Sequence, residues 1–205
     1  MYLKNSICKF NPLFEIDYSK KKNIISASFF KIQGGGYTSF DKYLNGIFLL
    51  NEFVIKELQD FELRLFIDQT ISNDNDIFEK LKKNKIKLII FECSNFLINN
   101  FHRGIFGMIV RFFPMFNFEN NDAKNVIISD IDFSNSIKKY LIILRDKISF
   151  FEKNNIKDLH SYFYGTLRDI SIIRGNKIIP FMLSALQINF KRIDSNILTQ
   201  YINNY

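Results

Sequence analysis

Apolar residues recur along this chain in two rhythms. Short, nearly continuous runs rich in β-formers occupy Asn23-Ile24-Ile25-Ser26-Ala27-Ser28-Phe29-Phe30, the stretch from Phe61 to Asp68, Ile86 to Glu92, and Val126-Ile127-Ile128. Runs of this length and composition predict strands buried on both faces. Between them the spacing turns helical. Leu44, Phe48, Ile55 and Leu58 mark a helix over Asp41 to Leu58, and Ile77 to Lys83 reads as a short one. The stretch Arg103 to Phe113, apolar nearly all round and stopped by Pro114, reads as a buried one. Ile137, Leu141, Leu144, Ile148 and Phe151 lie on one face of a long final helix. This β-α-β-α-β order predicts an α/β fold, with a mostly parallel central sheet flanked by helices in a single domain. Residues 1–22, basic and broken at Asn11-Pro12, read as an irregular peripheral segment. Residues 23–175 read as the folded domain, and 176–205 as a C-terminal cap.

Composition narrows the class. At 205 residues, 47% hydrophobic and 16% aromatic, the chain has ample material for one core. A net charge of +7, from 28 Lys and Arg against 21 Asp and Glu, is spread along the sequence, and its one tight N-terminal run, Lys20-Lys21-Lys22, reads as a solvated turn. The charge permits a polyanionic partner, but a run of this kind does not favour nucleic acid. Cys8 and Cys93 are far apart and lack metal-ligand spacing, which points to reduced thiols and a cytoplasmic setting. No apolar run approaches the length that spans a bilayer, and no signal-peptide core is visible at the N-terminus.

The chemistry concentrates at Val126-Ile127-Ile128-Ser129-Asp130-Ile131-Asp132, where an apolar strand runs out into two carboxylates at i and i+2. Alternation along a strand sends Asp130 and Asp132 to one side while Ile131 turns into the core. A pair of carboxylates suits a hard divalent cation, Mn²⁺ or Mg²⁺, whose other positions are filled by water and phosphate oxygens. Thirteen Asp give about one Asp-X-Asp by chance in a chain of this length. The second pair, Asp74-Asn75-Asp76, has a structural explanation, with Asp76 and Glu79 reading as a capping box. Asp68 ends a strand as Asp130 does, and reads equally as a ligand-site acid or a cap. Arg111, in an apolar helix, requires an anion, either a carboxylate or a ligand phosphate. His102 reads as an ordinary loop histidine. The glycines of Gln33-Gly34-Gly35-Gly36-Tyr37 allow a close backbone approach to a ligand or a plain flexible loop. His160, and Tyr and Arg residues beyond Asp158, are candidates for a third metal ligand and for sugar or diphosphate contacts, or form a cap over the sheet.

Three segments, Phe61 to Asp68, Gly107-Met108-Ile109-Val110-Arg111-Phe112-Phe113-Pro114 and Val126 to Ser134, together resemble the metal-dependent nucleotide-diphosphosugar glycosyltransferases of the GT-A fold, a Rossmann-related architecture. The resemblance covers roughly residues 23–175. It implies a divalent cation held by Asp130 and Asp132, to which His160 is the candidate third ligand already noted from the residues. It also implies a nucleotide-sugar donor bordered by Gly34, Gly35, Tyr37, Asp68, Arg111, Ser129 and Ile131. Arg168 and Asp169 resemble a late Arg-Asp pair on the sugar or acceptor side, although the tryptophans and histidines that often surround that pair are missing, and residues 176–205 would form a cap or acceptor-side segment. An inactive nucleotide-sugar-like binding or assembly module is the alternative, and a basic nucleic-acid-binding protein a more distant one.

Overall fold

The computed structural model of the protein describes residues 8–20, 22–32, 40–102, 104–116 and 122–155, and after them the backbone of four short strands and the helical residues Asn196 and Gln200. The elements run β1 (Cys8–Pro12), β2 (Lys22–Phe29), α1 (Phe40–Glu57), β3 (Phe61–Ile67), α2 (Gln69–Ser72), α3 (Asn75–Lys83) and β4 (Lys87–Cys93). A two-residue hairpin of β5 (Leu97–Ile98) and β6 (Phe101–His102) follows. Next come α4 (Gly104–Ile109), a 3₁₀ segment Val110–Met115, β7 (Ala123–Ile128) and α5 (Asn135–Lys153). The last strands are β8 (Tyr162–Tyr164), a β9–β10 hairpin (Ser171–Arg174 with Lys177–Pro180) and β11 (Leu186–Asn189).

Seven strands form one sheet in the order β1-β4-β3-β2-β7-β11-β8. The four central strands are parallel, and β1, β11 and β8 pair antiparallel at the edges. The fold is thus α/β with a parallel centre, as the alternation of elements predicted. Strand β2 lies between β3 and β7, and its residues separate by parity. Ile25, Ala27 and Phe29 face a core shared with Leu44, Ile47 and Leu50 of α1, Ile77 and Leu81 of α3, and Leu141 and Leu144 of α5. Ile24 faces the opposite layer, with Met115, Val126 and Ile128. Next to it Phe66, Ile89 and Phe91 pack on Phe106, Val110 and Phe113. Helices α1, α3 and α5 therefore cover one face, and α4 with its 3₁₀ extension covers the other.

Three sequence expectations change here. The segment before residue 22 is not wholly irregular, because β1 pairs with β4 in register Cys8↔Cys93 and a disulfide joins these two residues. Distance in sequence concealed a pairing that the antiparallel register makes direct, so the argument from unpaired thiols to a reducing compartment no longer holds. Pro114 does not stop a helix. It lies inside the 3₁₀ segment, which tightens after Ile109. Helix α3 begins two residues earlier than expected, capped by Asp74, whose side chain accepts from the Ile77 amide, and Asp76 sits in the first turn. Among the described residues no helix is long and apolar enough to cross a membrane.

At the N-terminal end of the parallel strands the sheet encloses a charge cluster. Arg64, 1% exposed, donates from Nη1 and Nη2 to the two Asp122 oxygens at 2.7 and 2.5 Å and from Nε to Glu62 Oε1 at 2.7 Å. Lys87 binds the other Glu62 oxygen at 2.6 Å, and the Phe14 ring lies against both cations. Removing one member of a buried pair leaves an uncompensated charge, so Asp122→Ala is expected to cost about 3–5 kcal/mol in urea unfolding. The double variant Arg64→Met/Asp122→Leu should regain most of that loss, and a single variant of unchanged midpoint would refute the assignment.

Candidate functional site

The chain passes from β2 out to β3 and β4 on one side, then returns across β2 to reach β7 on the other. The C-terminal ends of β2 and β7 therefore diverge toward opposite connections, the kind of crevice in which open α/β sheets bind ligands. A cleft of about 270 Å³ occupies this point. Ser28, Phe30 and Ile32 line it from β2 and its extension, Met108 and Arg111 from the α4 side, and Asp130 and Asp132 from beyond β7.

Strand β7 ends at Ile128, and one more ladder bond, Ser129 N–H to the Ser26 carbonyl at 2.9 Å, carries the backbone to Asp130. Residues 131 and 132 form a bend, so the shared orientation of the two acids comes from the turn rather than from strand alternation. The expectation that they meet in one crevice holds nonetheless. Ile131 packs into the core as expected, 7% exposed, and Ser129 is fully buried.

Arg111 is where the geometry departs from a simple ligand site. Its Nη1 donates to Asp130 Oδ1 in a short ion pair and to the Ser129 carbonyl at 3.0 Å, and Ser26 Oγ donates to the Arg111 carbonyl at 2.6 Å. The anion that Arg111 requires is thus a carboxylate, and it is the candidate cation ligand itself. The guanidinium Nε is buried without a hydrogen-bond partner, and Asp132 has none among the described residues. The site therefore holds one neutralised carboxylate, one free carboxylate and one unsatisfied charged donor.

Two glycines set its width. A Cβ on Gly46 would lie 2.1 Å from the Ile131 carbonyl oxygen, and one on Gly107 would lie 2.5 Å from the Phe30 ring. Helix α1 thus rests directly on the bend that carries Asp132, and α4 on the ring that floors the cleft. Gly46 was not singled out from sequence and Gly107 entered only as the start of a segment carrying the resemblance, yet a Gly inside a helical pattern is a signal of close packing.

Asp68 is not part of this cleft. It is fully buried, caps α2 through the Thr70 N–H at 2.9 Å and also accepts from the Thr70 hydroxyl. Its second oxygen binds His102 Nδ1 at 2.8 Å, while His102 Nε2 accepts the Cys93 amide at 3.1 Å. Because Nε2 accepts, the ring proton resides on Nδ1 and is donated to Asp68. Both Asp68 oxygens are engaged, so of its two sequence readings the structure shows the cap, and His102 is a buried structural partner rather than an ordinary loop histidine. Gly34, Gly35, Tyr37, His160, Arg168 and Asp169 lie outside the described residues.

Among the described residues no group of three or more His, Cys, Asp and Glu side chains is arranged to hold a metal. Asp130 and Asp132 are two carboxylates, one of them paired to Arg111, so a cation held there would need further ligands from water or phosphate. No protein-family model and no curated protein sequence matches the chain.

Gly46→Ala should move either α1 or the bend at 131–133, because the nearest atoms are backbone and cannot rotate away. The expected cost is about 1–3 kcal/mol, the usual range for overpacking. Chemical shifts of Asp132 and Phe133 should move with it, and a variant of parental stability and unmoved shifts would show that α1 does not support the site.

Proposed function

We propose that the protein is a metal-dependent glycosyltransferase that moves a sugar from a nucleotide-diphosphate sugar to an acceptor, with Mn²⁺ or Mg²⁺ held by Asp130 and Asp132. The observation that carries this reading is the charge arrangement in the cleft at the strand crossover. A free carboxylate, a second carboxylate paired to arginine, and a buried guanidinium Nε without an acceptor face one small space. The resemblance of the segments at 61–68, 107–114 and 126–134 to GT-A glycosyltransferases points the same way.

In this reading Arg111 has two anions to choose between. Without donor it rests on Asp130. Two oxygens of a diphosphate offer Nε and the remaining N–H groups the bidentate acceptor that a guanidinium prefers, and free Asp130. Asp132 faces the cleft throughout. When bound, the cation supplies Lewis-acid stabilisation of the leaving nucleoside diphosphate. Ser26 and the Ser129 carbonyl hold Arg111 in place from either side, so the exchange needs little more than a change of guanidinium partner.

The Arg111–Asp130 pair also favours a second reading, an inactive nucleotide-sugar-like binding module, since a carboxylate neutralised by arginine is a weaker cation ligand. Donor hydrolysis separates the two: the transferase releases sugar slowly from its donor with Mn²⁺, and the module does not.

Exchange at Arg111 makes cation and nucleotide binding synergistic. Mn²⁺ with a nucleoside diphosphate should raise the melting temperature more than the sum of either alone, and ligand at about 100 times its Kd should add roughly 2.7 kcal/mol. Asp132→Asn should abolish the Mn²⁺ response at unchanged basal stability. Asp130→Asn should abolish it and also lower basal stability, through loss of the ion pair. Arg111→Gln should remove the synergy while Mn²⁺ alone binds better than in the parent. Asp74→Asn should change none of these responses, because that residue is a helix cap and Asn caps equally well. Identical melting curves with and without Mn²⁺ and nucleotide, over several nucleotide bases, would end the donor-site reading.

A further inference from the structure

Strand β1 closes one edge of the sheet, and the Cys8–Cys93 disulfide is its covalent link to β4. The link lies where β4 has little else to hold it. Pairing of β4 with β3 ends at Ile90, so among the described residues Phe91, Glu92 and Cys93 are paired in the sheet with β1 alone. Both cysteines are fully buried, in a cluster with Phe10, Phe66, Phe91 and Phe96.

From Cys93 a continuous series of hydrogen bonds leads to the rim of the cleft at the strand crossover. The Cys93 N–H donates to His102 Nε2 at 3.1 Å, His102 Nδ1 donates to Asp68 Oδ2 at 2.8 Å, and Asp68 Oδ1 accepts the Thr70 N–H at 2.9 Å and the Thr70 hydroxyl. Thr70 Oγ1 in turn accepts the Lys31 N–H at 2.9 Å. Lys31 sits between Phe30 and Ile32, and both of these line the cleft. Each step fixes the next, because a ring that accepts at Nε2 donates from Nδ1, and a hydroxyl that donates to Asp68 keeps its lone pairs for Lys31. The His102 ring, 4.7 Å from that of Phe91 on β4 and fully buried, cannot turn aside to absorb a displacement.

Reduction replaces one bond by two thiols, each with its own van der Waals envelope, and a close-packed interior holds no spare room for them. Either β1 moves off β4 or the Cys93 backbone turns. In both cases the Cys93 N–H shifts against His102, and the series carries the shift to Lys31. The change stays local, because β4 remains paired with β3 up to Ile90 and the parallel centre of the sheet is untouched. Strand β1 also reaches the opposite wall of the cleft. The Phe10 ring meets Phe113 edge-on at 4.9 Å, and Phe113 lies two residues beyond Arg111 in the 3₁₀ segment.

We propose that the Cys8–Cys93 pair is a redox switch for the cleft, with His102, Asp68 and Thr70 as the positioning residues that carry its state to the β2 rim. The reductant is a dithiol. Its thiolate attacks one sulfur as β1 lifts, giving a mixed disulfide and one free cysteine; its second thiol then closes the reductant's own disulfide and frees the other cysteine, so two electrons and two protons pass to the protein. The test compares ¹⁵N-labelled full-length protein before and after excess dithiothreitol, with neither cation nor nucleotide present and the free thiols counted by mass after alkylation. The amides of Cys93, His102, Thr70, Lys31 and Ile32 should move together, and the His102 Nε2 resonance should lose the shift of a hydrogen-bonded acceptor. Leu141 and Leu144, on the other face of the sheet, should stay in place. Cys8→Ser/Cys93→Ser should put Lys31 and Ile32 at their reduced positions. Thr70→Val keeps the side-chain shape but removes both hydroxyl bonds, so it should confine the redox response to Cys93 and His102, and Thr70→Ser should restore it at Lys31. The proposal is overturned if the bond resists dithiothreitol in the folded protein, if Lys31 and Ile32 do not move on reduction, if they move equally in Thr70→Val, or if the reduced chain unfolds throughout, which would make the disulfide a plain staple. No ligand enters the measurement, so its outcome and that of the transferase reading are separate.

Discussion

A guanidinium carries five N–H donors in a fixed fork, and burying one without acceptors costs several kcal/mol. Among the described residues this constraint is met twice, once at each end of the parallel strands, with opposite outcomes. Arg64 at the N-terminal end finds both oxygens of Asp122 and one of Glu62. Arg111 at the C-terminal end finds one carboxylate oxygen and one backbone carbonyl, and its Nε finds nothing. Full satisfaction locks the first end. Partial satisfaction leaves the second able to gain from an added anion, and that difference separates the end that holds the fold from the end that is open to chemistry.

The same division appears in the packing. Around β2 the two side-chain parities enter separate apolar layers, a consequence of burying both faces of one strand. At its C-terminal end the pattern loosens, with Ser26 and Ser28 interrupting the apolar run, and one of these hydroxyls reaches the Arg111 carbonyl. Close helix approach through Gly46 and Gly107 then keeps the cleft small. The glycines lower helix propensity by about 1 kcal/mol each, and the positions where they do so are those where a Cβ has no room.

Much of the fold was legible because it rests on periodicity. Each parallel strand announced itself as an unbroken apolar run, and α1 and α5 as amphipathic stripes, so their alternation led to the α/β class. The meeting of Asp130 and Asp132 was legible for a different reason than the one given, since a bend and not a strand turns them together. What escaped was everything set by long-range partners. Nothing in the neighbourhood of Cys8 points to Cys93, and nothing near Asp68 reveals that His102 completes it. Arg111 was rightly seen to need an anion, but the sequence offers many carboxylates, and only the crossing of β7 over the 3₁₀ segment selects Asp130. The cap of α3 slipped by two residues because Asp74 and Asp76 offer the same chemistry, and Ile77 N–H reaches only the first.

The disulfide between Cys8 and Cys93 closes a covalent ring across a sequence separation of 85 residues. That ring contains β2, β3 and β4, while β7, Asp130 and Asp132 lie outside it. A backbone cut within the ring leaves both fragments tethered, whereas a cut after Cys93 detaches the segment that carries the two acids. Covalent connectivity thus divides the molecule differently from its hydrogen bonds. The half that supplies the β2 wall of the cleft is protected against fragmentation, and the half that supplies the carboxylates is held non-covalently, by strand pairing, packing and the Arg64–Asp122 ion pair.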